Sequence, residues 1–325
     1  MLLALAAACG GGGPTPRRDS PEPARAPAVA TAPAGQAVLL AVDQPEGVVV
    51  TPGSERIVIA ARRPASLVLL DPRHLGARPV LFPSPGAARH LSLRGSQLLV
   101  AGEDTDNLSV VDPLTGVVLT RSSVGDHPHD AVAIGSAVVV AEEDADSVAI
   151  LDQGRVVARI SGSRHPGGIA ASAGRAAAVE VRGRRLDVID VAGRRLVARV
   201  PIGAGPTHAV EVGDGIVAVA DTSGDEVLLV SLRGDPHVIA RTHLYGRPYC
   251  LASDPDRHLL WVATGADNTL RRLAVTGSGT GTRLVSGATL PTVQQPNSLA
   301  VVPSTGQVVV VGATNPGWVQ LVSGG

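Results

Sequence analysis

The sequence predicts an all-β protein, a seven-bladed propeller of four-stranded blades. Three observations predict it. A unit of about 40 residues recurs along most of the chain. Each unit holds four short strand patterns. The composition, with 38 Gly, 25 Pro and 2% aromatics among 325 residues, suits many short strands joined by turns.

The repeat is anchored by an apolar strand ending in a small or acidic residue. It reads LVLLD (Leu67–Asp71), LSVVD (Leu108–Asp112), VAILD (Val148–Asp152) and LDVID (Leu186–Asp190). Weaker copies are Val227–Ser231, Leu270–Ala274 and Val319–Ser323. In the second unit the four strands are expected at His90–Leu93, Gln97–Gly102, Leu108–Asp112 and Gly116–Ser123. Runs apolar on both faces, such as IVIAA at 57–61 and VVVVG at 308–312, are expected where each sheet is covered by a neighbour on both sides. The long interval before the last anchor carries the Gly/Ser/Thr-rich Thr276–Thr282, read as a loop insertion.

The seventh anchor is followed by no outer strand, and a spare strand, QAVLLAVD (Gln36–Asp43), precedes the first unit. That strand is expected to complete the last blade and close the ring, which removes an exposed sheet edge.

The N-terminal residues separate from this pattern. Residues 1–8, MLLALAAA, are apolar and small, and Cys9 is followed by four glycines. This resembles the end of a bacterial lipoprotein signal peptide, although no basic residue precedes the apolar run. The resemblance implies a lipid on Cys9 and a place in the cell envelope, on the extracytoplasmic side of a membrane. Residues 9–35, rich in Gly, Pro and Ala, are expected to be a disordered tether, and residues 36–325 the propeller. The other cysteine, Cys250, lies in an apolar strand pattern and is expected to be a buried thiol.

The copies NLSVVDPLTGVVLTRSSVGDHPHDAVAI and RRLDVIDVAGRRLVARVPIGAGPTHAVEV resemble the YVTN-type repeat of YncE-like seven-bladed propellers. The resemblance spans residues 36–325 and is clearest in the second to fifth units. Its motifs are structural, so it implies the fold and leaves the function open. The literal Tyr-Val-Thr-Asn is absent; VVVAEED (138–144) and WVATGAD (261–267) stand in its place.

Two loop sets should share the face at the mouth of the central channel. The first is a turn with proline in six of its seven copies: Gln44-Pro45-Glu46, Arg89-His90, His127-Pro128-His129-Asp130, His165-Pro166, Pro206-Thr207-His208, Arg247-Pro248-Tyr249 and Gln295-Pro296-Asn297. It collects five of the nine histidines. The second set is acidic: Glu103, Asp104 and Asp106; Glu142, Glu143, Asp144 and Asp146; Asp221, Asp225 and Glu226; then Asp267 and Asn268.

Three readings stand at this point. Turns favour Asp, Asn and Gly whatever the function. Loops on a rigid scaffold commonly carry recognition. Converging His and carboxylate groups can also hold a divalent metal. The residues expected to bind a ligand are His90, His127, His129, Asp130, His165, His208, Tyr249 and Asn297. A metal would draw on Glu46, His129, Asp130, His165 and His208, although no fixed ligand spacing marks them. No other cofactor is expected.

The formal net charge of −1 gives no basic field for nucleic acid. No G-x-S-x-G, H-E-x-x-H, P-loop or C-x-x-C occurs. The reading that follows is a non-enzymatic, membrane-tethered binding or scaffold protein, monomeric, with a protein or small-molecule partner. Its alternatives are a metal-dependent lactonase- or lyase-like enzyme and a propeller subunit of a periplasmic redox complex.

Overall fold

The computed structural model describes residues 23 and 25–324, so Cys9 and the apolar run before it lie outside the described residues. Seven four-stranded antiparallel sheets form the blades. Their inner strands are Asp43–Val50, Leu91–Arg94, Pro128–Ile134, Pro166–Ser172, Pro206–Gly213, Pro248–Asp254 and Pro296–Val301, numbered here as blades 1 to 7. Each inner strand touches the next in order, and that of blade 7 touches that of blade 1, so the ring is closed around a central channel.

One apolar cluster lies between each pair of neighbouring blades. Val217, Val219 and Leu228 of blade 5 pack on Val179, Leu186 and Val188 of blade 4, for example, all fully buried. This is why the second and third strands are apolar on both faces: each face meets a different neighbour. Burying one such Val or Leu contributes roughly 1.5–3 kcal/mol. The outer strands, such as Val118–Ser123, are largely exposed.

Closure occurs as the repeat count requires. Gln36–Leu39 pairs antiparallel with Trp318–Val322 and supplies the fourth strand of blade 7. The strand is shorter than the sequence suggests. It ends at Leu39, and Asp43 already opens the inner strand of blade 1, paired with Arg63. Between them Leu40 N donates to Gly317 O (2.8 Å) and Gly317 N to Val42 O (2.9 Å), while the Leu40 and Val42 side chains are buried between blades 7 and 1.

Part of the segment read as a tether is docked. Ala26 N donates to Gln295 Oε1 (2.9 Å), and Asn268 Nδ2 donates to Pro27 O (2.9 Å). Gln320 Nε2 donates to Ala34 O (2.7 Å). Composition hides this because the contacts are hydrogen bonds from backbone groups to polar side chains of blades 6 and 7. Among the described residues no helix is long and apolar enough to cross a membrane.

Candidate functional site

Proline at the inner-strand entrance fixes φ and removes a ladder donor. In six of the seven blades the register shifts directly after it: Pro45/Val48, Pro128/Asp130, Pro166/Ile169, Pro206/His208, Pro248/Leu251 and Pro296/Ser298. Each shift is a β-bulge, a device that re-aims a side chain. In blade 3 the extra residue is His129, while Asp130 is paired with Ala141.

Successive strand residues point opposite ways, so the entrances build two stacked rings. The upper ring is the residue after each proline, which the register skips, with Arg89 at the matching place in blade 2: Glu46, Arg89, His129, Gly167, Thr207, Tyr249 and Asn297. The lower ring includes His90, Asp130, His208 and Cys250, which line a channel cavity of about 160 Å³ with Asn297 at its edge. A further mouth position lies at the end of each second strand, inside it for Arg62 and directly after it for Glu103, Glu143, Val181, Thr222, Gly265 and Ala313. At these two positions charge is confined to blades 1 to 3, and blades 4 to 7 are neutral there.

These charged residues meet. His129 Nδ1 lies 3.1 Å from Glu103 Oε1 and 3.3 Å from Glu143 Oε2. His127 Nε2 lies 3.4 Å from Glu103 Oε2 and 3.6 Å from Glu143 Oε2. His165 Nε2 lies 2.6 Å from Glu143 Oε1. Arg62 Nη2 reaches Glu103 Oε2 at 2.6 Å, and Arg89 Nε reaches Glu103 Oε1 at 3.1 Å. Arg62 also approaches Glu46 at 3.4 Å.

Burial disfavours charge on Glu103, His127, His129 and Glu143, and the attraction of their neighbours outweighs it. Glu103 and Glu143 stay well below the usual carboxylate range despite burial, held there by His127, His129 and His165. Burial would neutralise His129, but the two carboxylates push it up to about 10, so it is an imidazolium at neutral pH. His127 is raised by its hydrogen bond to Glu103.

The five residues expected to hold a metal do not form one cluster among the described residues. Among the described residues the group whose ligand atoms converge is Glu103, His129 and Glu143. Of the residues expected from the sequence only His129 belongs to it. Asp130 is turned away by the strand alternation: its oxygens accept from Ala131 N (2.8 Å) and Ile169 N (3.0 Å), and burial pushes its carboxyl up to about 7. His208 lies in the channel, its Nε2 3.3 Å from His90 Nε2 and its ring 4.4 Å from that of Tyr249. Burial and the positive His129 push it down to about 3; His90 is depressed for the same reasons, with His208 adding to them. Glu46 faces Arg62 and Arg89, and His165 touches Glu143 from outside the group. Asn297 Oδ1 accepts from Gln295 Nε2 (3.2 Å) on the far side of the mouth.

Half of the acidic set holds the blades together instead. Asp106 Oδ1 accepts from His127 N (3.0 Å), Asp146 Oδ1 from His165 N (2.7 Å) and Asp225 Oδ1 from Arg247 N (2.7 Å). Asn268 Oδ1 accepts from Gln295 N (3.0 Å) in the same way. Both partners of each clasp have φ near +50°, a region that Asp and Asn enter more easily than most residues. Glu142 is sequestered by Gly125 N, Ser147 and Arg159, and Asp221 by Ala204 N and Gly205 N. Cys250 is buried, and burial pushes its thiol far up, as its apolar pattern predicts.

No family model matches the chain, and no curated protein is similar to it in sequence. Solved structures share the fold. Hydrazine synthase of Kuenenia stuttgartiensis superposes with a TM-score of 0.73 at 17% identity, covering 88% of this chain and 97% of that one. A catalytically inactive histidine-to-alanine variant of virginiamycin B lyase from Staphylococcus aureus, with quinupristin, gives 0.70 at 12%, covering 88% and 98%. The RRP9 WD40 repeats give 0.74 at 16%, covering 90% and 99%. These likenesses establish the propeller and, at such identities, nothing finer.

Proposed function

We propose that this chain is a binding propeller of the YncE-like, YVTN-repeat type, tethered through Cys9 to the extracytoplasmic side of a membrane. Its ligand is recognised at the channel mouth over blades 1 to 4. The observation that carries this reading is the asymmetry of the mouth. At the positions after each proline and at the end of each second strand, Glu46, Arg62, Arg89, Glu103, His129 and Glu143 crowd blades 1 to 3, with His127 and His165 against them, and Val181, Thr222, Gly265 and Ala313 follow on the other side, where Arg247 and Asp267 are exposed. A structural ring alone has no need of such one-sidedness. A partner with a charged or polar group beside a neutral body fits it. That related folds serve as lyases, as part of a hydrazine synthase and as WD40 repeats leaves the binding role open, and no motif of the chain favours a redox subunit.

The test compares immobilised wild-type protein with His127→Ala and His165→Ala variants in detergent extracts of the source cell envelope. A species retained by the wild type and lost from both variants supports the reading. Retention indifferent to both substitutions overturns it. Fractionation of a Cys9→Ala variant tests the tether separately: the protein should move from the membrane to the soluble fraction.

A further inference from the structure

We propose that Glu103, His129 and Glu143 form a binding site for one divalent first-row transition-metal ion, of the Zn²⁺ or Mn²⁺ class, at the channel mouth. Three observations carry it. One ligand atom from each residue lies within 4.8 Å of the other two, as donors around a common ion must. Glu103 is 4% and His129 9% exposed, so the donors are sheltered from water. Glu103 Oε1 and His129 Nδ1 also lack an aligned hydrogen-bond partner, although they are only 3.1 Å apart. A buried polar atom left without an aligned partner calls for such an explanation.

The donor set selects the ion. One imidazole with two carboxylates suits Zn²⁺, Mn²⁺ or Fe²⁺, whereas Ca²⁺ and Mg²⁺ prefer an all-oxygen shell. His165 Nε2, 2.6 Å from Glu143 Oε1, fixes that carboxylate from behind, the outer-shell arrangement common at metal centres. His127 Nε2, within 3.6 Å of both carboxylates, is placed to add a fourth ligand by a small side-chain rotation. Arg89 Nε, 3.1 Å from Glu103 Oε1, and Arg62 Nη2, 2.6 Å from Oε2, compete with the ion for this carboxylate.

The inference shares the mouth with the binding reading and can fail without it, because the metal titration uses no organic ligand. Full-length protein prepared without a His tag is stripped with EDTA and titrated with ZnCl₂, MnCl₂ and CaCl₂ by calorimetry, with bound metal counted by mass spectrometry. The expected result is one equivalent of Zn²⁺ or Mn²⁺, weakened at least about 10-fold in Glu143→Gln and in His129→Gln. Asp225→Asn, in the mouth turn of blade 5, should bind as the wild type does. Folding of every variant is checked by its melting curve, and Glu143→Gln stands alone if His129→Gln does not fold. No saturable Zn²⁺ or Mn²⁺ uptake by the folded wild type overturns the site. Uptake unchanged in Glu143→Gln, or Ca²⁺ binding alone, overturns it equally.

Discussion

His129 Nδ1 stands 3.1 Å from Glu103 Oε1, a contact that joins the inner strand of blade 3 to the mouth turn of blade 2. Glu103 is the hub of that turn. Arg62, Arg89, His127 and His129 all lie within 3.4 Å of its two oxygens. Glu103→Gln keeps the shape and removes the charge, leaving half-buried cations without their counter-ion. The expected cost is about 2–3 kcal/mol, since losing one partner of a buried ionic group exposes the others to their full desolvation penalty. Urea denaturation of the variant measures it, and a loss below about 0.5 kcal/mol would show that the arginines find other partners.

The clasps predict a different outcome for acids that look the same in the sequence. Asp225→Ala removes the acceptor for Arg247 N and should cost about 1–2 kcal/mol. Asp104→Ala, in the mouth turn of blade 2, should cost a similar amount because Asp104 Oδ1 accepts from Ala87 N at 2.7 Å. Neither change should alter what the mouth binds. A clasp variant that melts normally but loses ligand would move that residue from scaffold to site.

Much of this is legible in the sequence, and particular residues show where legibility stops. The anchor strands end at Asp152 and Asp190 or directly before Asp71 and Asp112 because a turn follows each, and the repeat length follows from them. The residue after each Pro does ring the mouth. Which way it points was hidden. One bulge residue in blade 3 sends His129 to the mouth and Asp130 into the channel wall, and an alternation count without the bulge cannot separate them. Glu103 and Glu143 stood in view as turn acids. Their meeting with His129 depends on how blades 2 and 3 splay, which no local pattern encodes. Ala26 and Pro27 looked like linker because polar side chains of blades 6 and 7 hold their backbone.

Ring closure carries its own prediction. Deleting residues 36–43 removes the fourth strand of blade 7 and the buried Leu40 and Val42. Those two side chains alone are worth about 3–6 kcal/mol, and the strand Trp318–Val322 becomes an open edge. The deletion should abolish a single cooperative melt or lower its midpoint by well over 10 °C, on the order of 2–4 °C per kcal/mol for a domain of this size. An unchanged melt would mean that the ring does not depend on this strand.

Blade 4 makes a prediction about pH. Asp187 is fully buried, with Ser163 Oγ donating to Oδ2 and Arg199 Nε to Oδ1 at 3.2 Å. Glu180, also fully buried, shares Arg199, whose Nε is 3.5 Å from Glu180 Oε1. Burial first, and the adjacent Glu180 second, push Asp187 from 3.8 up to about 7. Between about pH 4 and pH 7 the unfolded chain has lost this proton while the folded chain keeps it. The folded state binds the extra proton, so its stability falls as pH rises across that window, and the loss is complete above about 7. Asp187→Asn stays neutral throughout and can still donate to Glu180. Wild type and variant should therefore differ least near pH 4. By pH 8 the variant should be the more stable, by no more than about 4 kcal/mol, the full value of the displacement. Melting curves at half-unit steps from pH 4 to pH 8 follow the difference directly. A gap that is constant with pH, or one that favours the wild type at pH 8, would mean that Asp187 is ionised in the folded blade and that Arg199 outweighs its burial.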